Sequence, residues 1–200
     1  MVQVGNIEIL RIIANATNTI AEGEVLQLLN ECNPETSEQN YLHVIRCKTA
    51  KLFEAAAEIG TVLTNAPPQL QTIYAQYGLH LGTAYQLIDD LLDYQATNVD
   101  FGKQLGNDLA EGKPTMPLIY LLKYGNNEQR ILATEALTNP ERANLIQIQQ
   151  AIHSSGALDY TLAFAKREIN LAKQALSELA DNEHQATALA LADFVVERTH

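Results

Sequence analysis

The residues best suited to chemistry stand together in Gly82-Thr83-Ala84-Tyr85-Gln86-Leu87-Ile88-Asp89-Asp90-Leu91-Leu92-Asp93-Tyr94. Three carboxylates occur there at i, i+1 and i+4. On a helix, residues four apart lie above one another, so Asp89 and Asp93 share a face and Asp90 lies one step to the side. Gly82, Gln86 and Asp89 or Asp90 fall on nearly the same stripe, while Leu87, Leu91 and Leu92 take the other side. Aspartates so close repel one another unless something cationic stands among them. Hard oxygen donors suit Mg2+, which takes one or two carboxylates, keeps several waters and completes its shell with substrate phosphates. The plain alternative is a solvated acidic face, but the apolar neighbours argue against full exposure. A glycine one turn before the stripe lets a backbone or a ligand approach closely.

Three lysines belong to the same chemistry. Lys48, followed by Thr49, sits in the middle of an otherwise apolar helical pattern, and Lys103 and Lys113 lie in the glycine-punctuated stretch after the aspartates. Lysine binds phosphate as a point charge. Mg2+ and mobile ammonium groups together suit a diphosphate.

The elements that position these groups read as helices. Residues 6–31 carry apolar side chains at a rhythm near 3.6, interrupted by Gly23. Asn33-Pro34 breaks the chain, and Thr36 with Gln39 reads as a capping box for a long helix over residues 36–65. Pro67-Pro68 ends it. The next helix, over residues 68–94, carries the aspartates, and the short connection predicts antiparallel packing that brings Lys48 towards the stripe from Gln86 to Asp93. Residues 96–114 read as a long loop. A buried helix spans 116–124, and shorter ones follow. Asn126 or Asn127 opens one, Asn139 with Pro140 at the first position opens another, and a helix over 155–179 precedes a last one capped by Asp181 or Asn182. No strand-like alternation, repeat or linker stands out. The expectation is a single all-α domain over residues 1–200, a packed helix bundle.

Composition narrows the partners. Thirteen basic against 24 acidic residues leave a net charge of −11. That argues against nucleic acid, which needs a basic footprint, and against an anionic membrane surface. Cys32 and Cys47 make neither a zinc spacing nor a disulfide framework, so a reduced, cytoplasmic setting is expected. No signal peptide and no apolar run of membrane-spanning length is apparent. The five histidines are scattered and read as surface or core residues.

G-T-A-Y-Q-L-I-D-D-L-L-D-Y, then G-K-Q-L-G-N-D-L-A-E-G-K-P-T-M-P-L, with K-T-A upstream, resembles the trans-polyprenyl diphosphate synthases, nearest to the bacterial long-chain, octaprenyl-type enzymes. The likeness is specific over residues 41–124 and continues more weakly to both ends. It implies an isoprenoid synthase-type helical bundle around an apolar cavity, and Mg2+-dependent addition of isopentenyl diphosphate to an allylic diphosphate. Asp89 would be the metal-ligating first aspartate of the family's second aspartate-rich motif. Asp90 and Asp93 would ligate metal through water or hydrogen-bond the lysines. Lys48, Lys103 and Lys113 would hold the allylic diphosphate, with Thr49 and Gln86 as polar neighbours. Asp108 and Glu24 or Gln27 fall at further familiar positions. A homo-oligomer is expected.

The family carries two aspartate-rich motifs, whereas Asp89-Asp90 is the only adjacent aspartate pair in this chain. The likeness starts partway along the family's length, so the expected bundle is incomplete: the N-terminal helices with the first motif are missing. Two rival readings follow. One is a terpene cyclase-like lyase on the same fold, disfavoured by the E-G-K-P-T segment. The other is a non-catalytic helical subunit.

Overall fold

The computed structural model describes residues 4–95, 107–180 and 182–198. Among them every regular element is helical: α1 (Ile7–Asn30), α2 (Glu38–Ile45), a π-helical turn (Arg46–Ala50), α3 (Lys51–Leu63), α4 (Pro68–Gln95), α5 (Asn107–Ala110), α6 (Met116–Tyr124), α7 (Asn127–Thr138), a 3-10 turn (Pro140–Arg142), α8 (Leu145–Ser155), α9 (Ala157–Leu176) and α10 (Glu183–Glu197). None of these helices is long and apolar enough to cross a membrane.

Helix α4 is the centre because it is apolar on most of its circumference, which only burial on several sides can satisfy. One side packs on α3 and the π turn, another on α9 and α10. Tyr77, Leu81 and Ala84 meet Ile169, Leu176 and Val195. Leu87 and Ile88 meet Tyr41, Ile45, Met116 and Ala165. Leu87 is fully buried, and sealing a side chain of that size contributes about 1.5–3 kcal/mol.

The expected antiparallel packing of the Lys48 helix against the aspartate helix is met, and glycines set its spacing. A Cβ on Gly78 would stand 2.8 Å from Glu54 Cα, and one on Gly82 2.6 Å from Ala50 Cα. The order then runs on through Thr49 beside Gln86 and Tyr41 beside Asp90. Gly82 thus admits a neighbouring backbone. Helix α1 approaches the other side of the π turn as closely, at Gly23.

Four local expectations differ from the structure. Ser37, not Thr36, caps α2, its hydroxyl accepting from Asn40 N at 3.1 Å, while Thr36 is buried. The helix expected over 36–65 is interrupted by the π turn, which holds Lys48 and Thr49; such turns are rare and frequently mark functional sites. Asn139-Pro140 opens only a 3-10 turn. The helix proper starts at α8, where Asn144 Oδ1 accepts from Gln147 N at 3.2 Å, whereas the Asn139 side chain caps no backbone donor of the 3-10 turn. The 96–114 stretch contains α5, and its residues 96–106, Lys103 among them, lie outside the described residues. Asn126 caps α7 with a reciprocal Gln129 bond, and Asn182 caps α10, as expected.

Candidate functional site

A cleft of about 240 Å³ opens between the end of α1, α2 with the π turn, α4 and the segment after α5. Lys48, Thr49, Gln86, Asp89, Asp90, Asp108 and Lys113 line it, as do Gln27, Tyr41 and Thr115. Most of the residues singled out in the sequence therefore converge on one space.

The two adjacent aspartates do different things. Asp89 is half exposed and lies 3.9 Å from the guanidinium of Arg198. Asp90 is 3% exposed. Its Oδ2 accepts from the Tyr41 hydroxyl at 2.6 Å and its Oδ1 from Gln86 Nε2 at 2.7 Å. Burial, and then the charge of Asp108, push the Asp90 carboxyl well above the usual carboxylate range, against the pull of those two donors. Burial and the Asp90 charge likewise raise the Tyr41 hydroxyl. Asp93, one turn on, is half-buried and lies off the cleft lining.

The cations are held in place by acids of their own. Lys48 Nζ lies 2.8 Å from Glu24 and donates to Gln27 Oε1 at 2.9 Å, both on α1. Antiparallel packing brings it to the aspartates' cleft, but its contacts are to α1. Thr49 donates to Gln86 Oε1 at 2.9 Å. Lys113 donates to Asp108 at 3.2 Å and pairs with Glu111. Partial burial alone would lower its ammonium's pKa, and those two carboxylates outweigh that and raise it. The loop carrying Lys113 is tied to the end of α1, where Cys32 N donates to Gly112 O at 2.8 Å. Cys32 and Cys47 are free thiols.

The donor set fits Mg2+. It is made of oxygen, and Asp89 is exposed at the cleft. Among the described residues no three His, Cys, Asp or Glu side chains are grouped to hold a metal ion by themselves. The protein can thus supply part of a shell and leave the remainder to water and substrate oxygens, the usual manner of Mg2+ binding. Such a site can grip an anion that brings its own oxygens, with two ammonium groups beside it.

Sequence reasoning missed Tyr41 and Arg198. Tyr41 looks like any core tyrosine on an apolar helix. Arg198 donates to Tyr85 O at 2.6 Å and stacks 3.9 Å over the Tyr85 ring. Both contacts join segments far apart in the chain, so no spacing signals them. Also missed was Glu168 on α9, buried between Arg46 at 3.0 Å and His80 at 2.6 Å.

The polyprenyl synthetase family profile matches residues 1–154. The octaprenyl diphosphate synthase of Escherichia coli (strain K12) is 40% identical over 199 residues, 99% of this chain and 62% of that protein. The octaprenyl diphosphate synthase of Haemophilus influenzae is 41% identical over 99% of this chain and 60% of its own length. This chain thus spans about three fifths of the curated relatives it matches. Among solved structures, a polyprenyl synthase from Caulobacter crescentus complexed with calcium and isoprenyl diphosphate superposes with a TM-score of 0.94 at 37% identity, covering 100% of this chain and 62% of that one. A polyprenyl synthase from Roseobacter denitrificans gives 0.88 at 40% identity, covering 98% and 65%.

Proposed function

Because this chain belongs to the polyprenyl synthetase family, we propose that its cleft holds an allylic diphosphate and that the protein is a prenyltransferase, adding isopentenyl diphosphate to build a long-chain, octaprenyl-type product. One observation carries the reading: two lysines and three aspartates, Lys48, Lys113, Asp89, Asp90 and Asp108, line a single cleft. The relatives named as octaprenyl diphosphate synthases support the product class.

Asp89 would hold Mg2+ directly, and Asp90 and Asp93 would support the ion through water or hydrogen bonds. Mg2+, when bound, neutralises charge developing on the departing diphosphate. Lys48 and Lys113 add fixed positive charge to the same oxygens, and Lys103 has the same role. Thr49 and Gln86 supply hydrogen bonds at the diphosphate's edge. Because their acidic partners already restrain Lys48 and Lys113, little ordering remains for the moment of reaction. Electrostatic stabilisation of a leaving group works best with such prearranged charges. The allylic carbon–oxygen bond breaks, the double bond of isopentenyl diphosphate attacks the cation, and a proton leaves. Exposed Val25, Leu28 and Leu29 on α1 support a homo-oligomer as part of the same reading.

Calorimetric titration of inorganic pyrophosphate in excess Mg2+ tests this. The protein is expected to bind saturably, and Asp89→Asn to raise Kd about 10–100-fold. The unliganded melting temperature should stay put, because the Asp89 side chain is 49% exposed. Absence of binding, or binding indifferent to Asp89, overturns the proposal.

A further inference from the structure

We infer that Tyr41 is a positioning residue of this cleft: its hydroxyl holds Asp90, and through Asp90 it sets the Gln86 amide and the Thr49 hydroxyl. The inference rests on the diphosphate reading above and adds a residue to it.

The Tyr41 ring packs among Ile45, Leu87, Ile88 and Met116. Its hydroxyl donates to Asp90 Oδ2 at 2.6 Å, across 49 residues of chain. Gln86 gives its NH2 group to Asp90 Oδ1 at 2.7 Å, the oxygen that Tyr41 leaves open, and so turns its carbonyl the other way. There it accepts from Thr49 Oγ1 at 2.9 Å. The chain runs one way, Thr49 to Gln86 to Asp90, and Tyr41 closes it from the far side. Two donors on one buried carboxylate hold Asp90 within the protein and leave Asp89 to face the cleft. They also orient Thr49, which lies beside Lys48 in the π turn.

Removing the Tyr41 hydroxyl leaves Asp90 with Gln86 alone. The carboxyl group is then free to turn, and the Gln86 amide loses its fixed orientation. The loss is one hydrogen bond to a buried carboxyl group that positions the cleft, so an effect of about tenfold on ligand affinity is expected.

The test titrates inorganic pyrophosphate in excess Mg2+ into the full chain and four variants, with thermal melts alongside. Tyr41→Phe keeps the ring volume and is expected to raise Kd about tenfold. Asp90→Asn is expected to raise it as well, and the double variant to be no worse than the weaker-binding single one. Tyr77→Phe is the control: it removes a hydroxyl that donates to Ala188 O at 2.8 Å, away from the cleft. It should lower the melting temperature and leave Kd unchanged. Without ligand, the side-chain amide resonances of Gln86 should shift in Tyr41→Phe and Asp90→Asn and stay in place in Tyr77→Phe. An unshifted Gln86 amide, an unchanged Kd for Tyr41→Phe, fully additive losses, or an equal loss in Tyr77→Phe overturns the role of Tyr41. A wild-type protein that does not bind pyrophosphate overturns the diphosphate reading itself, which the wild-type titration alone reveals.

Discussion

Substituting Gly23 by alanine tests whether helix separation sets the site. A methyl group there lands 2.6 Å from Lys48 N and 2.9 Å from Cys47 Cβ. Ordinary contact begins near 3.4 Å, so the gap must widen by about 0.8 Å. The obstacle is backbone inside a helix, which no rotamer change relieves. Overpacking of this kind costs ~1–3 kcal/mol, and alanine returns ~1 kcal/mol of helix propensity in place of glycine. The expected net loss is ~1 kcal/mol, a fall of ~2–4 °C in melting temperature for a chain of this size. Gly60→Ala supplies the contrast. It is also helical, its added methyl meets nothing within 4 Å, and it should gain ~0.5–1 kcal/mol. The functional effect should exceed the stability effect, because α1 also carries Glu24 and Gln27, which hold the Lys48 ammonium. Displacing the Lys48 ammonium weakens a charge-assisted contact to the ligand, so pyrophosphate in Mg2+ should bind ~10-fold more weakly to Gly23→Ala and normally to Gly60→Ala. Thermal melts and calorimetry read both quantities. A Gly23→Ala protein as stable as Gly60→Ala, with wild-type affinity, would refute the claim that α1 sets the position of Lys48.

Glu168→Gln should cost ~2 kcal/mol at pH 7, since it weakens two charge-assisted contacts at a buried carboxylate. Burial alone would raise the Glu168 pKa, but His80 and Arg46 outweigh it and hold the group below its ordinary 4.5. Its stabilisation is therefore complete above that value and lost as pH falls through the lower folded value. Denaturant unfolding at pH 7 and pH 3.5 should show the gap to Glu168→Gln narrowing, and a constant gap would rule out the ionic account. The 200-residue polypeptide by itself is expected to transfer prenyl groups poorly, because it has a single adjacent aspartate pair. Incorporation of labelled isopentenyl diphosphate at a rate matching full-length relatives would contradict this.

Much of the site was legible because helical periodicity is local. The spacing of Gln86, Asp89, Asp90 and Asp93 on one helix follows from residue order alone, which also narrowed two caps to neighbouring pairs, Asn126 or Asn127 and Asp181 or Asn182, of which the structure uses Asn126 and Asn182. Lys48, Thr49 and Lys113 could be tied to the aspartates because a short Pro-Pro connection predicts antiparallel neighbours and because the motifs resemble those of a family. The π turn was not legible: its packing partners, Gly23 and Gly82, stand on two other helices. The misread caps at Thr36 and Asn139 show the same limit at a smaller scale, since several polar residues stood within reach and backbone geometry chose among them.

From residue order alone come the all-helical class, the acidic stripe and the lysines that suit a diphosphate, since each depends on neighbours within a few turns. The division of labour between Asp89 and Asp90 was decided only in three dimensions. Two chemically identical side chains differ there because one meets water and the other meets the hydroxyl of Tyr41 and the amide of Gln86. Burial and hydrogen bonding are properties of the packed interior, where segments distant in sequence become each other's solvent.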